Sequence, residues 1–326
     1  MNQRLVQYDI LKGIGILLVV ICHAGLDGFS KEFIYTFHMP LFFFVSGCFF
    51  KDNDFANLIV KNIKQLLIPY LLFAFCMIVA RTLRSIDFQS VLPSISGSLL
   101  ALSPIDESDP CLYESIWFLL CLFTVRIIYW FINRICKGVL LIKVVVCCIS
   151  YFMGCALQVL NVNLPFFVDT AFSVLLLYAL GDCFHNKGYD SKAVPWYLSL
   201  MGVLVCVWAC HLFHPIVELK INKYPIYLVL LSVVTIVSFY YICKYLFDHF
   251  ENKKSYVLGF LEKSGASSLS ILGFHNPIIW IFGHYIRLIP APSIVVLIFT
   301  VFTTVIVIFY LEKIIYKLAP FLLGKS

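Results

Sequence analysis

The sequence predicts an all-α, polytopic membrane protein in which about ten transmembrane helices surround a polar pore. Hydrophobic residues make up 61% of the 326 residues and charged residues only 13%, whereas globular domains carry about 25% charged residues. The mean hydropathy of +0.94 agrees with this class. Ten apolar blocks have lengths of about 17 to 25 residues, which is the length that crosses a bilayer as a helix. The distribution of Lys and Arg between the loops is consistent with that number of spans.

The approximate cores of the ten blocks are 9–26, 35–50, 66–86, 115–133, 138–158, 166–184, 194–213, 225–246, 265–286 and 292–318. When the loops are assigned alternately to two sides, sixteen Lys and Arg residues fall on the side of the termini. The opposite side holds six, namely Lys31, Arg81, Arg84, Lys220, Lys223 and Arg287. Because cytoplasmic loops are richer in Lys and Arg, we expect both termini to be cytoplasmic. Residues 1–326 are expected to form a single membrane domain in the cell (cytoplasmic) membrane.

The first span, YDILKGIGILLVVICH, carries Lys12 near one end and His23 at the other. Eleven positions separate them, which is close to three helical turns, so both side chains lie on one stripe and roughly 16 Å apart along the axis. Exposing a cation and an imidazole to lipid costs free energy. We therefore expect this face of the helix to line a polar cavity. A signal peptide is a weaker interpretation, because Lys12 interrupts the apolar run and no small-residue cleavage site follows.

The second span, FIYTFHMPLFFFVSGCFF, carries His38 near its outer end. This is about the depth of His23, so the two histidines form a candidate site. Pro40 is expected in the first helical turn, where a missing N–H costs little. Deeper in the span, Ser46 and Gly47 form a small pair that permits close helix contact.

The alternate assignment of loops to the two sides of the membrane also predicts the depth of other polar residues. The outer third of the membrane is predicted to contain His23, His38, Arg81, Glu114 and Asp169. Glu114 ends the longest predicted loop, about 87–114, and Asp169 opens the sixth span. These five residues come from five different spans or their ends and still share one level.

The inner third is predicted to contain two cations, Lys12 and Arg126, while His275 falls near the middle of the membrane. Cations at a cytoplasmic mouth suit the phosphates of coenzyme A. Its extended pantetheine arm is comparable in length to the roughly 16 Å between Lys12 and His23. The thioester of an acyl-CoA donor would then lie beside the imidazole of His23.

Two classes of ligand are not expected. The net charge of +6 is not arranged as a basic stripe with interleaved aromatic residues, so no nucleic-acid partner is predicted. The thirteen cysteines lie mostly within spans without metal-ligand spacing, so no metal is predicted. The expected partners are acyl-CoA, a surface carbohydrate and the lipid bilayer.

Four motifs in order, KGIGILLVVICH, FHMPLFFFVSG, ESIWFL and SLSILGFHNP, together resemble the integral-membrane acyltransferase-3 family. The resemblance covers essentially the whole chain and includes the Arg/Lys-x10-His motif of the first helix. It implies transfer of acetyl or another acyl group from acyl-CoA to a hydroxyl of an extracytoplasmic carbohydrate. By this resemblance Lys12 is the cation near coenzyme A, His23 is the catalytic imidazole, and His38, Glu114 and His275 are pore residues.

Some members of that family add a C-terminal extracytoplasmic esterase-like domain, which these 326 residues do not contain. The membrane unit is therefore expected to deliver the acyl group directly or with a partner. In the expected mechanism His23 is the general base and Glu114 or Asp169 fixes its tautomer. Arg81 or His38 meets the developing oxyanion or orients the acceptor. Direct attack and an acyl-imidazole intermediate both stay open.

Plainer interpretations stand beside these roles. A membrane histidine often hydrogen-bonds a neighbouring helix, Lys12 can extend to the inner headgroups, and Arg81 can be a solvated helix end. Two other protein classes also fit the composition. One is a secondary transporter or lipid-linked sugar flippase, which usually shows two related halves with interrupted helices. The other is a non-catalytic polysaccharide-assembly or sensor subunit.

Overall fold

The computed structural model describes residues 6–85, 116–160, 162, 164–213, 225–250, 255–286 and 291–324. In these ranges all the regular secondary structure is helical. The α-helices are α1 (Val6–His23), α2 (Phe29–Cys48), α3 (Phe55–Asn62), α4 (Ile68–Ser85), α5 (Trp117–Ile135), α6 (Leu140–Val159), α7 (Val168–Asn186), α8 (Trp196–Phe213), α9 (Pro225–Phe250), α10 (Tyr256–Ala266), α11 (Ser268–Ile286) and α12 (Ser293–Leu318). A π-helical turn, Ile63–Leu67, joins α3 to α4, and short 3-10 turns cover Pro165–Phe167 and Pro320–Leu323.

The chain is a multi-pass membrane protein by the length and apolarity of its helices. Eight helical segments of the described residues are long and apolar enough to cross a bilayer. Helix α2, whose first turns carry Lys31 and Glu32, is not among them. Helix α11 has a shorter apolar stretch, Ser268–Phe282. The total of ten spans, the polar pore and the sidedness of the termini therefore stay predictions.

The helix boundaries differ from the predicted ones most clearly in α2. It begins at Phe29 rather than near residue 35, because the polar segment that follows Gly28 is already helical. Pro40 consequently lies eleven residues after the start of the helix, so the expectation of a first-turn proline is wrong. The third predicted span also begins earlier, at Phe55, where the side chain of Asp54 accepts the N–H of Ala56 at 3.1 Å.

The described chain folds into two compact units. The first unit contains residues 1–50 and 176–268, and the second contains residues 51–175 and 269–326. The boundary at residue 175 falls within α7. The expectation of a single membrane domain stays a prediction.

Close glycine contacts hold the helices of the first unit together. A Cβ atom on Gly13 of α1 would overlap the carbonyl oxygen of Leu261, and one on Gly265 of α10 would overlap the carbonyl oxygen of Asp9. The two backbones are therefore in direct contact. Gly47 of α2 meets the backbone of Tyr178 in the same way, which is the close contact expected of the Ser46–Gly47 pair.

The second unit uses glycines at two further crossings. The ring of Phe73 on α4 covers Gly273 of α11 closely enough to exclude a Cβ atom. Gly154 of α6 lies against the backbone and hydroxyl of Ser173 on α7. Small residues at such positions let membrane helices approach where lipid offers no competing hydrophobic force.

Candidate functional site

Helix α1 carries an ion pair near its first residues. Lys12 Nζ lies 2.7 Å from Asp9 Oδ1, one helical turn away, with 26% of the Lys12 side chain and 7% of the Asp9 side chain exposed. Asp9 was not among the predicted site residues, although its i, i+3 spacing from Lys12 is the visible signal of such a pair. The ammonium group of Lys12 is therefore held in place by the buried carboxylate of Asp9.

His23 is the last residue of α1. The helix ends there because Gly25 adopts a φ of 115°, which is the left-handed region that glycine tolerates best. The N–H of Leu26 then donates to the carbonyl of Ile21 at 3.3 Å, which is the bond pattern of a Schellman cap. Lys12 and His23 consequently lie on one unbroken helix, eleven residues apart.

His38 on α2 has a defined hydrogen-bond arrangement. Its Nδ1 lies 2.9 Å from the carbonyl oxygen of Ile34, and because a carbonyl only accepts, Nδ1 carries the hydrogen. In the neutral ring Nε2 is then the acceptor. The ring of Tyr35 lies 4.8 Å from the His38 ring, and His23 is close enough to interact with His38 electrostatically.

A cluster that sequence reasoning missed fixes the beginning of α1. Tyr8 donates to Asp190 Oδ2 at 3.1 Å, and His185 Nδ1 lies 2.6 Å from the same oxygen. The backbone carbonyl of Asp190 accepts from Tyr240 at 3.0 Å and from Lys244 at 2.7 Å. The chain after α7 is thus tied to α1 and α9. Tyr8 and Asp190 are 182 positions apart, so no local pattern links them.

Arg126, in the second unit, belongs to a group of cations. Its Nη1 donates to Asn62 Oδ1 at 3.2 Å, and Asn62 is fully buried. Lys61 interacts electrostatically with Arg126 and also with Lys51. Lys61 and Asn62 were not predicted as site residues, because α3 was interpreted as a loop. Like charges gathered in one place favour an anion as their common partner.

Asp169 has a local structural role in the second unit. Its Oδ1 accepts the N–H of Leu164 at 3.2 Å, and its Oδ2 accepts the hydroxyl of Thr170 at 3.2 Å. The residue is 3% exposed. These bonds satisfy backbone and side-chain donors at the start of α7. A role for Asp169 in a pore stays a prediction.

His275 on α11 repeats the arrangement of His38. The residue is completely buried, and its Nδ1 lies 2.9 Å from the carbonyl oxygens of Ile271 and Leu272. Nδ1 therefore carries the hydrogen here as well. In both helices a proline follows the histidine by two positions, in His38-Met39-Pro40 and in His275-Asn276-Pro277.

Three predicted residues remain to be placed. Ser46 is partly buried on α2 in the first unit, with His23, His38 and Lys12. Arg81 lies on α4, but its side chain falls outside the described residues, and Glu114 lies outside them entirely. Among the side chains that are described, no group of three or more His, Cys, Asp or Glu residues could hold a metal ion.

Comparison with known proteins bears on the class of the molecule. A family model described as an acyltransferase domain (Acyl_transf_3) matches residues 5–313. No curated protein and no solved structure matches the chain significantly.

The apolar helices and the family match together define a membrane-bound transferase of acyl groups. The chain belongs to the acyltransferase-3 family, and the match extends over nearly its whole length.

Proposed function

We propose that this protein transfers an acyl group, acetyl in the first instance, from cytosolic acyl-CoA to a hydroxyl of an extracytoplasmic carbohydrate. The observation that carries the proposal is helix α1, which is unbroken, holds an ion-paired Lys12 and ends at His23. His23 also interacts electrostatically with His38 on α2. Family membership supports the transfer of acyl groups. The donor, the acceptor and the location in the cell membrane are parts of the proposal.

Two sets of cations, one in each unit, support an anionic donor. In the first unit Lys12 is partly exposed beside the buried carboxylate of Asp9. In the second unit Arg126 and Lys61 interact with each other. Phosphates are the anions that guanidinium and ammonium groups bind best, and coenzyme A carries several of them.

The proposed chemistry requires one proton acceptor and one leaving group. His23 takes the proton from the acceptor hydroxyl as its oxygen bonds to the carbonyl carbon of the thioester. The carbon–sulfur bond then breaks, and the proton passes from His23 to the departing thiolate of coenzyme A. The C-terminal end of α1 stabilises the positive charge that His23 carries in between. In the variant route, His23 first accepts the acyl group itself.

The remaining predicted residues have proposed places around this reaction. Glu114, Arg81 and His275 are proposed to line the path of the acceptor or the donor. Ser46 is proposed as a pore residue of the first unit, and Asp169 is proposed as a pore residue of the second unit. His38 is proposed to act beside His23.

Acetyl-CoA binding and transfer by the detergent-purified protein test the proposal. We expect acetyl-CoA to raise the Tm, and His23→Ala to reduce acyl transfer by about 10²- to 10⁴-fold while the Tm shift with acetyl-CoA persists. His23→Gln keeps the size and hydrogen bonding of the side chain and serves as a second variant. A His23→Ala protein that transfers at the normal rate would contradict the assignment. Absence of both the Tm shift and thioester cleavage in the unaltered protein would favour a transporter or a non-catalytic subunit.

A further inference from the structure

Pro40 leaves one backbone carbonyl of α2 without its usual donor. In an α-helix the N–H of each residue donates to the carbonyl four positions earlier, and proline has no N–H. The affected carbonyl is that of Thr36, which is fully buried. A buried carbonyl with no donor is unfavourable, so a replacement donor is expected at this point.

Ser232 on α9 supplies that donor. Its Oγ lies 2.5 Å from the carbonyl oxygen of Thr36 and 2.7 Å from the carbonyl oxygen of Leu228 in its own helix, so the single hydroxyl hydrogen is shared between these two acceptors. A serine within a helix commonly bonds the carbonyl four positions back, so the bond to Leu228 is ordinary. The contact with Thr36 crosses to another helix, 196 positions away in the chain. Ser232 is itself only 1% exposed.

The same turn of α2 sets the tautomer of His38. The acceptor for His38 Nδ1 is the carbonyl of Ile34 at 2.9 Å, two residues before Thr36. The hydroxyl of Thr36 donates to the carbonyl of Phe33 at 2.7 Å. Ser232 therefore attaches to the turn whose carbonyl holds the His38 ring.

We propose that Ser232 is a positioning residue for His38, acting through the Thr36 carbonyl that Pro40 leaves without a helical donor. This keeps Nδ1 of His38 protonated and Nε2 available as an acceptor. An acceptor nitrogen cannot stabilise an oxyanion, so His38 accepts a hydrogen bond from a neighbouring hydroxyl of the carbohydrate and thereby orients the acceptor. His23 takes the proton of the attacking hydroxyl. The inference rests on the proposed function for its catalytic consequence, whereas the tautomer is measurable without substrate.

The tautomer is tested first, on the full-length protein labelled with ¹⁵N-histidine. Long-range ¹H–¹⁵N spectra distinguish a ring protonated at Nδ1 from one protonated at Nε2, and His38→Gln identifies the His38 signals. We expect the Nδ1–H form in the unaltered protein and a mixture of tautomers in Ser232→Ala. Ser238→Ala is the matched control, because Ser238 lies on the same helix but packs against Gly202 of α8. It should leave the His38 signals unchanged.

Transfer is measured as the acyl content of surface glycans, by mass spectrometry, in cells that express each variant at equal levels. Ser232→Ala should reduce the acyl content about 10-fold, as expected when a reacting group is displaced by a fraction of an ångström. Ser238→Ala should have no effect. Pro40→Ala restores the helical N–H donor to Thr36, so adding Ser232→Ala to Pro40→Ala should cause little further loss. The comparison of Pro40→Ala with the double variant can still be made if the Ser232→Ala protein inserts poorly into the membrane.

Three results are distinguishable. An Nε2–H tautomer of His38 in the unaltered protein, or equal transfer by the Ser232→Ala and Ser238→Ala proteins, would overturn the positioning role. An equal effect of Ser232→Ala with and without Pro40 would overturn the route through Thr36. If His23→Ala does not change the acyl content while the tautomer results are as expected, the proposed reaction fails and the positioning of His38 stands.

Discussion

At the scale of single residues, the pair Asp9–Lys12 is a largely buried ion pair of α1. Asp9 is 5% exposed, and Lys12 is one of the groups that stabilise its buried carboxylate. Removing one member of a buried pair is costly because the other charge is left without compensation. The side chain of Lys12 is 26% exposed, so its ammonium group is less completely buried than the carboxylate of Asp9, which reduces that cost.

Asp9→Asn is therefore expected to lower the free energy of unfolding by about 1–3 kcal/mol. The measurement is the Tm or the denaturation midpoint of the purified protein. Asp27→Asn is the control, since Asp27 lies 4.0 Å from Lys31 and its side chain is 88% exposed. That change should stay within about 0.5 kcal/mol. Equal effects of the two substitutions on the free energy of unfolding would contradict a stabilising role of the Asp9–Lys12 ion pair.

Arg126 offers a second test at this scale. If it contacts a phosphate of the donor, Arg126→Gln removes a charge-assisted hydrogen bond worth about 1.5–3 kcal/mol and raises the Kd for acetyl-CoA about 10-fold or more. Titration calorimetry or the Tm shift reports this. Arg134→Gln, eight positions later on the same helix and paired with Asp52 at 3.3 Å on an exposed surface, should leave the Kd unchanged. A Kd that is insensitive to Arg126→Gln would remove this residue from the donor site.

At the residue scale, periodicity was sufficient to predict that Lys12 and His23 lie on one helix, whereas the roles of the site residues stay predictions. The helical interval between Lys12 and His23 followed from their spacing, and the structure contains it in one helix. The contacts of Tyr8 and Asp190 were not predictable, because they depend on chain segments that only folding brings together. The tautomer of His38 likewise depends on a hydrogen bond and not on residue type.

At the scale of elements, the short helix α10 is an integral support of α1. Gly13 and Gly265 lie at the contact between the two helices, and each would place a Cβ atom onto backbone of the other helix. Backbone atoms cannot rotate away as side chains do. The turn of α1 that carries Asp9 and Lys12 is consequently held by α10.

Gly265→Ala is expected to force the two helices apart and to lower the free energy of unfolding by about 1–3 kcal/mol, the usual cost of overpacking. Gly259→Ala, on the same helix, is the matched control because nothing lies within 4 Å of its added Cβ atom. It should be neutral or stabilising by up to about 1 kcal/mol, since alanine favours helix. Thermal unfolding of the two variants compares them directly. A Gly265→Ala protein as stable as Gly259→Ala would contradict the close packing.

Element boundaries were less predictable than element positions. Hydropathy identifies the apolar part of a helix, whereas Ser30, Lys31 and Glu32 near the start of α2 and three polar residues of α3 remain helical, namely Asn57, Lys61 and Asn62. For α2 this hid the interior position of Pro40. The break at Ser267 between α10 and α11 was missed for a related reason, because the predicted block 265–286 extended across it.

At the scale of the whole molecule, the predicted topology can be measured independently of the chemistry. With both termini cytoplasmic, a green fluorescent protein fused after residue 326 should fluoresce, and alkaline phosphatase at that position should be inactive. Alkaline phosphatase inserted in the predicted outer loop, near residue 100, should be active. The opposite activities at the two positions would invert the topology, and matching activities would mean that the predicted number of spans between the two positions is wrong.

The membrane class and the family were predictable from sequence because composition and motif order extend over the whole chain. The division into two units was not. Each unit combines an early and a late part of the chain, and hydropathy contains no information about which spans are neighbours.

The Schellman cap at Gly25 ends α1 at a fixed residue. The number of residues between Lys12 and His23 therefore sets the distance and the angle between their side chains. One residue inserted between Lys12 and His23 would turn the imidazole by about 100° and shift it by about 1.5 Å, with almost no change in composition. Length variants in this interval should therefore be far more damaging than exchanges of one aliphatic side chain for another of similar volume. The length of this interval therefore determines where the imidazole lies relative to the ion pair at the other end of the helix.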